Sequence, residues 1–410
     1  MTRIIVCLLG LLSFSGYLKA QTVESGNLFS KIETILAGMP ASNSDNYLEP
    51  DAGQLTTWNK TIDYLLAGNY GLAATEANSI DYDLIEFTDT PSGKKYYVLT
   101  NNKSNYWGTY VFYPEALRPL VIQSPHPKYD TNTGLEGIFI FQETDALFFS
   151  MSGTHRCNQG IASSCSGTTS VCGTTEPYKI SDMAHSVSSI FQAVTDNLYT
   201  QIDTTYFVSL HGFGKRDSDP YVILSNGTRE TPETDYISRF KNNLLQEDGS
   251  LTFQLAHINT NWNRLIAFTN TQGRLINNSI DPCEENASTV TGRFMHIEQE
   301  KSKLRNDEDG WQKVANALKK TFSGPVLAIN VPTEELFDLY PNPSTGQIFI
   351  NAPDDELEHL AIYDLLNKEV INYSSERLPE SSRLRLDLVN LPNGTYILRL
   401  KSTVRKIIIQ

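Results

Sequence analysis

The chain has 410 residues, of which 40% are hydrophobic and 20% charged, and its formal net charge is −14. This length suits two or three domains, and this composition supports a packed core and excludes general disorder. The negative charge argues against a nucleic-acid partner, because phosphate binding requires a basic surface.

The N-terminus predicts a secretory signal over residues 1–20. Arg3 supplies a positive charge, residues 4–14 form a short apolar segment, and Ala20 offers a small residue before a cleavage point at Gln21. The apolar segment is shorter than the roughly 20 residues that span a bilayer. The rival interpretation is a retained anchor, for instance through Cys7. No other segment of the sequence predicts a membrane span, so we expect a protein that does not cross the membrane.

Residues 21–115 form a lead-in that we assign to the catalytic domain, with helices near 28–36 and 54–66 and strands at 96–99 and 109–113. Residues 116–332 then alternate between strand-like and helix-like segments. The strands are expected at 120–124, 146–151, 206–210, 221–224 and 294–298, and the helices at 181–199, 233–246 and 311–322. This alternation predicts an α/β domain with a largely parallel sheet.

Four cysteines remain once the signal is removed, and an even number in an oxidising compartment predicts disulfides. Three of them lie in a segment rich in Gly, Ser and Thr, which has little apolar content to hold it together. The four are Cys157, Cys165, Cys172 and Cys283. Four cysteines allow three pairings, and the sequence does not select one.

Residues 333–410 contain short, alternating strands at 347–351, 359–364, 384–388, 396–401 and 406–409, which predict a small all-β sandwich. The segments LYPNPSTG at 339–346, IYD at 362–364, LPNGTY at 391–396 and KIII at 406–409 resemble the type IX secretion sorting domain of Bacteroidetes. The resemblance implies the type IX secretion machinery as a partner. It also implies export through the periplasm to the cell surface or the medium. A generic sandwich that binds carbohydrate or protein is the alternative.

Two predicted strands end in a histidine. His126 follows the strand at 120–124, and His211 follows the strand at 206–210. In open α/β sheets, binding sites form at the carboxyl ends of the strands. A third strand, at 294–298, alternates so that His296 and Glu298 share one face. Glu136 is expected in the first turns of a helix over 131–143.

A catalytic zinc ion usually has three protein ligands and keeps a fourth position open. His126, Glu136 and His211 supply an accepted set of two histidines and one carboxylate, and Asp130 is the alternative carboxylate. Glu298 is the predicted general base. Four other histidines compete as ligands: His155, His185, His257 and His296.

The order of these segments resembles the N-formylglutamate amidohydrolase and zinc-carboxypeptidase group. The resemblance rests on His126 with Glu136, on the turn GTHRCN at 153–158, on SLHG at 209–212 and on FMHIE at 294–298. It implies a mixed central sheet flanked by helices in a carboxypeptidase-like fold, with zinc on His126, Glu136 and His211. The group's usual first motif places His and Glu three residues apart, whereas ten positions separate them here.

The same resemblance implies cleavage of an amide or peptide bond near a carboxylate, in a small-molecule or peptide substrate. Arg156 and Asn158 resemble the pair that binds the substrate carboxylate in that group, and Arg274 is a further candidate. We therefore predict a secreted zinc-dependent hydrolase. The alternative is a cell-surface binding or adhesion protein that has the same fold without the chemistry.

Overall fold

The structure is a computed structural model, and it describes residues 22–101, 103–323, 338–351, 359–364, 368–374, 383–400 and 404–410. The chain divides into two compact units, with the division between residues 331 and 332. The predicted signal, residues 1–20, lies outside the described residues and stays a prediction. Within the described ranges, no helix is long and apolar enough to cross a membrane.

A mixed ten-stranded sheet forms the centre of the first unit. Its strands are β1 (Thr22–Gly26), β2 (Tyr82–Asp89), β3 (Lys95–Asn101), β4 (Thr109–Phe112), β5 (Arg118–Ser124), β6 (Ala146–Met151), β9 (Tyr206–Phe213), β10 (Val222–Ser225), β11 (Phe253–Leu255) and β12 (Phe294–Glu300). A separate small ribbon contains β7 (Thr168–Thr169) and β8 (Glu176–Pro177). The strand order across the large sheet is β1-β2-β3-β4-β6-β5-β9-β12-β10-β11.

The described part of this unit contains eight α-helices: α1 (Leu28–Ala37), α2 (Ala52–Leu66), α3 (Tyr70–Ser79), α4 (Thr133–Thr144), α5 (Ile190–Gln201), α6 (Tyr236–Glu247), α7 (Thr271–Ile276) and α8 (Glu308–Thr321). A 3₁₀ turn at Met183–His185 and a π turn at Lys301–Arg305 complete the list. Local chemistry explains where several helices begin. Asp51 forms a capping box with Gln54 at the start of α2, and Ser189 caps α5 through the amide of Gln192.

Four parallel strands, β6, β5, β9 and β12, position the candidate site. The chain passes from β5 to β6 on one side and from β9 to β12 on the other, so the direction of winding reverses between β5 and β9. Such a switch point opens a crevice at the carboxyl ends of the strands. These four strands are almost entirely buried, as expected for parallel strands that are covered on both faces.

The predicted mixed sheet flanked by helices is confirmed by this topology. One predicted helix differs, because the segment expected at 181–199 contains the short turn Met183–His185 and then α5, which begins only at Ile190. Ser186 and Ser189 are extended, and the Ser189 hydroxyl takes the place of the helical bond that would join the two pieces.

The structure gives the pairing of the four cysteines, which the sequence does not determine. The two disulfides are Cys157–Cys172 and Cys165–Cys283. The first closes a loop within one segment, and the second joins two segments that are 118 residues apart.

Two antiparallel sheets are seen in the described residues of the second unit. One contains β13 (Asp338–Tyr340), β14 (Gln347–Asn351) and β17 (Arg383–Asp387), and the other contains β15 (His359–Asp364), β16 (Glu369–Ser374), β18 (Gly394–Arg399) and β19 (Val404–Ile409). Ile348 and Leu386 from the first sheet share one buried apolar core with Ile362, Leu398 and Ile407 from the second. The predicted small sandwich is confirmed by these two sheets and their common core.

Candidate metal centre

Three adjacent strands bring the predicted histidines to one edge of the sheet. His126 lies just past the end of β5, His211 lies on β9, and His296 and Glu298 lie on β12. In the parallel pairing of β9 with β12, Glu298 stands opposite His211 and His296 stands opposite Ser209. The side chains of His211, His296 and Glu298 therefore meet on one face of the sheet.

His126, Asp130 and His211 form a group of three buried side chains that could hold a metal ion. Asp130 Oδ2 lies 3.3 Å from His126 Nδ1 and 3.3 Å from His211 Nδ1. Ligand atoms in a tetrahedral site with bonds of about 2.0–2.1 Å lie about 3.3–3.4 Å apart, so these separations fit the spacing of zinc ligands. Two imidazoles and one carboxylate also suit zinc chemically.

The far nitrogens of both imidazoles are held by other groups. His126 Nε2 lies 2.7 Å from Asp182 Oδ1, and His211 Nε2 lies 3.1 Å from the Ser209 hydroxyl. Metal-binding histidines commonly donate their second ring N–H to such a partner, which fixes the tautomer and the orientation of the ring. This arrangement leaves the Nδ1 atom of each ring directed at Asp130.

Asp182 also holds Arg156. Its Oδ2 atom accepts from Arg156 Nε at 3.0 Å and from Arg156 Nη2 at 2.5 Å, while Arg156 Nη1 lies 3.3 Å from His126 Nδ1. Asp182 is thus the buried link between an imidazole and a guanidinium, and the arginine reaches the edge of the candidate metal position.

The aspartates set the charge of this cluster. Burial raises the pKa of Asp130, but hydrogen bonds from His126 and His211 outweigh it and hold the pKa well below its usual range. Burial also raises the pKa of Asp182, and Arg156 and His126 reverse that effect. Burial and Arg156 lower the pKa of His126, but the two aspartates outweigh them and raise it. Burial lowers the pKa of His211 to about 4. Both carboxylates are therefore anionic at neutral pH.

The loop that carries Asp130 is fastened to β12 by Arg305. The Arg305 guanidinium donates to Thr131 O and to Gln299 O, and Asn132 Nδ2 donates back to Arg305 O at 3.0 Å. Gly212, next to His211, leaves room for this guanidinium, because a Cβ atom there would lie 2.1 Å from Arg305 Cζ. A larger residue at position 212 would therefore have to displace the Arg305 guanidinium.

His211, His296 and Glu298 form a second buried group of ligand-capable atoms that shares His211 with the first. Burial is the main cause that raises the pKa of Glu298 to about 8, and the negative charge of Asp130 adds to it. Burial lowers the pKa of His296 well below its usual value. Glu298 Oε2 and His296 Nδ1 are buried and have no hydrogen-bond partner among the described residues. The hydrogen-bonding capacity of this Glu298 oxygen is therefore unused within the described part of the chain.

A cavity of about 480 Å³ opens over both groups, and the side chains of His126, His211, His296, Glu298 and Arg156 lie in its wall. His185 also lines the cavity, where its ring stacks on Tyr178 with the centroids 3.6 Å apart. His185 Nδ1 donates to Thr269 O at 2.9 Å, and burial lowers the pKa of His185 to about 3. His185 is therefore a neutral wall residue, and it belongs to neither ligand group.

Glu136 lies at the start of a helix, as the sequence predicts, but it is not among the side chains that meet His126 and His211. It lies in the first turn of α4 and is fully buried, and its Oε2 atom accepts from Gln299 Nε2 at 3.1 Å. Burial raises the pKa of Glu136 to about 8, and Gln299 and Arg305 oppose the shift. It belongs to neither group of ligand-capable atoms found among the described residues. Because the chain turns between Asp130 and α4, Asp130 reaches the two imidazoles and Glu136 packs beside β12.

Two of the three predicted substrate-binding residues are engaged elsewhere. Asn158 is fully buried and binds the lead-in segment, where its Oδ1 atom accepts from the amides of Asn46 and Tyr47. Arg274 donates to the carbonyls of Phe268 and Cys283, among other groups, and so holds the segment of the Cys165–Cys283 disulfide. Neither Asn158 nor Arg274 is among the residues that line the cavity, so the structure does not bring them to the candidate site. Arg156 does line it.

The remaining competing histidines have other partners. His155 Nδ1 accepts from the amide of Cys157 at 3.0 Å, and His257 Nε2 lies 3.0 Å from Asp235 Oδ2. Neither joins a ligand group. The sequence does not indicate the role of Asp182. It falls in the segment predicted as a helix at 181–199, but in the structure it directly precedes the short turn Met183–His185. It contacts His126 across 56 residues of chain, and a contact of that range leaves no local pattern.

Comparison with known proteins gives three findings. In sequence, no curated protein matches the chain. Among solved structures, the chain is similar to an N-formylglutamate amidohydrolase from Ralstonia eutropha JMP134, with 13% identity and a TM-score of 0.31, over 53% of this chain and 95% of that one. It is also similar to a bacteriophage poly-gamma-glutamate hydrolase, with 14% identity and a TM-score of 0.28, over 51% of this chain and 86% of that one.

The third finding concerns the second unit. Residues 338–410 match the family described as the secretion system C-terminal sorting domain. The resemblance of this segment to a sorting domain is thereby confirmed, and the tail marks the protein for export to the cell surface or the medium.

Proposed function

We propose that this exported protein is a zinc-dependent hydrolase that cleaves an amide or peptide bond near a carboxylate of its substrate. The observation that carries the proposal is the buried group of His126, Asp130 and His211, with Glu298 in the wall of the cavity beside it. A surface protein that only binds a partner has no need for three buried ligand atoms at the spacing that zinc requires.

His126, Asp130 and His211 would hold the ion through Nδ1, Oδ2 and Nδ1. Bound zinc lowers the pKa of a coordinated water toward about 7 and acts as a Lewis acid. Asp182 and Ser209 keep both rings in the orientation that this binding requires.

Glu298 is the proposed general base and, later, the proton donor. In this role Glu298, which lines the cavity, would take a proton from the attacking water and return it to the leaving nitrogen. Burial brings the pKa of Glu298 to about 8, near the pH at which an enzyme works, and this suits a group that must both accept and release a proton.

Arg156 is the proposed partner of the negative charge that develops on the scissile carbonyl. Its Nη1 atom lies next to His126, and Asp182 fixes the rest of the guanidinium. A charged donor held in place before the reaction stabilises such a charge without reorganisation.

Substitution of Glu298 tests the proposal. We expect Glu298→Gln to keep one zinc per chain and to lower kcat/KM by about 10²–10⁴-fold, because the proton transfer is lost and the ligands are intact. The measurement is metal analysis together with hydrolysis of a panel of N-acyl amino acids and dipeptides, with and without a chelator. The matched control is Glu230→Gln at an exposed position, which should change neither.

Two results contradict the proposal. One is unchanged turnover in Glu298→Gln. The other is a zinc-loaded parent that hydrolyses no member of the panel, which favours the binding protein considered as the alternative.

A further inference from the structure

One wall of the cavity is lined by residues without a charged side chain. Residues 263 and 265–270, in the segment between β11 and α7, line the same cavity as Glu298 and Arg156. Ser225 on β10 connects this wall to the candidate metal centre, because Ser225 pairs with His296 and its hydroxyl donates to Ile266 O at 2.6 Å.

The backbone of this wall has an unusual conformation. Leu265 has a φ of 58° and Ala267 has a φ of 60°, whereas their neighbours Arg264 and Ile266 have negative values. Residues other than glycine rarely adopt positive φ, and such conformations persist only where the surroundings enforce them. Alternation of right-handed and left-handed residues makes successive N–H groups converge into a concavity that binds anions, known as a nest.

The carbonyls of the wall are held by the protein. Arg264 O accepts from Trp262 Nε1 at 2.7 Å, and Ala267 O accepts from the amide of Asn270 at 3.2 Å. Ile266 O accepts from Ser225, and Phe268 O accepts from Arg274 Nε at 2.9 Å. In a trans peptide, the N–H of the next residue points away from the carbonyl. The amides of residues 265, 267, 268 and 269 therefore point away from these partners.

Those amides have no acceptor within the described part of the chain. No hydrogen bond is donated by the N–H of any residue from 264 to 269 to another described residue. Backbone amides are obligatory donors, and a group of them beside a cavity requires water or a ligand as acceptor.

The side chains that could otherwise bind an anion here are already engaged. Arg156 is paired with Asp182, and the guanidinium of Arg274 donates to carbonyls behind the wall. A carboxylate that enters the cavity therefore meets free backbone amides in addition to one partly occupied arginine.

We propose that residues 264–269 form a nest that binds the carboxylate of the substrate. The inference rests on the proposed hydrolase function and deepens it, because it assigns the carboxylate to backbone donors instead of to the arginines that the sequence suggests. A substrate is then selected by an anionic group held in the nest while its amide bond lies over the metal position.

The test measures binding of a carboxylate probe against its neutral counterpart. N-acetylglycine and N-acetylglycinamide are titrated into the zinc-loaded full chain by NMR or calorimetry, with Glu298→Gln present throughout so that neither probe is consumed. We expect the acid to bind at least 10-fold more tightly than the amide.

Ala267→Val should remove most of that preference. A β-branched residue is strongly disfavoured at positive φ, so the nest must open, and we expect acid binding to weaken at least 10-fold and amide binding less than 2-fold. Ala267→Gly is the matched control, since glycine accepts this conformation, and it should bind both probes as the parent does. Ser225→Ala releases Ile266 O without touching the loop sequence, and we expect it to weaken acid binding about 5-fold.

Metal content and melting temperature establish that each variant is folded. If folded Ala267→Val and Ser225→Ala both keep the preference for the acid, or if Arg156→Lys alone abolishes it, the nest is wrong and the hydrolase proposal is untouched. If the preference is lost as expected but the parent hydrolyses nothing, the nest stands and the proposed function fails.

Discussion

At the scale of single residues, one aspartate organises the candidate site. Asp182 accepts from His126 with one oxygen and from Arg156 with the other. A buried charge of this kind is tolerated because both of its partners are buried with it and satisfy it. The same carboxylate therefore fixes the tautomer of a proposed metal ligand and the position of the proposed oxyanion partner.

Glu136 leads to a prediction about pH. Its pKa is raised from 4.5 to about 8 by burial, so the folded protein binds a proton that the unfolded chain releases above pH 4.5. The contribution of Glu136 to the free energy of unfolding is therefore complete below pH 4.5 and is lost as the pH rises toward 8. At 1.36 kcal/mol per pKa unit, we expect the parent to lose about 3–4 kcal/mol of unfolding free energy between pH 5 and pH 8 through this residue.

Glu136→Gln should remove that dependence, since Gln is uncharged and can still accept from Gln299. The measurement is urea unfolding of parent and variant at both pH values, with exposed Glu33→Gln as the control. Equal pH dependence in parent and Glu136→Gln would contradict the assignment of a buried, protonated carboxyl.

At the scale of elements, the sequence alone predicts the strands of the site and the histidines near their ends. The apolar runs before His126 and His211 predict buried strands, and the alternation at 294–298 places His296 and Glu298 on one face, as the structure has them. These signals are local, because a strand's periodicity is written in consecutive residues.

The periodicity of the sequence could not show which carboxylate joins the histidines, or which segment forms the cavity wall. The choice between Asp130 and Glu136 depends on a turn of a few residues. Arg305, in the turn after β12, holds that turn from 174 residues away in the sequence. The cavity wall is held through its carbonyls by Ser225, Arg274 and His185, which come from three different segments. Contacts of this range leave no periodic signal in the sequence.

The two disulfides should stabilise the first unit unequally. The loop closed by Cys157–Cys172 spans 15 residues and the loop closed by Cys165–Cys283 spans 118. Chain-entropy arguments give about 3 kcal/mol for the shorter loop and about 5 kcal/mol for the longer one. We expect the Cys165→Ser, Cys283→Ser double variant to lose more unfolding free energy than the Cys157→Ser, Cys172→Ser variant, measured by urea unfolding. The reverse order would show that strain or packing outweighs loop closure.

At the scale of the whole molecule, the disulfides are consistent with the export that the C-terminal domain indicates. The tail at 338–410 matches a secretion sorting domain, and the first unit contains two disulfides of the kind that persist in oxidising compartments. Each unit has its own apolar core. The residues of the proposed reaction all lie in the first unit, and the sorting domain lies in the second.

The most direct test of the account is zinc content in two carboxylate variants of the full chain. If Asp130 is the third ligand, the parent and Glu136→Gln should each hold one zinc per chain, whereas Asp130→Ala should lose it or bind it far more weakly in a competition titration. A folded Asp130→Ala that keeps stoichiometric zinc, together with loss of zinc in Glu136→Gln, would contradict the proposed centre.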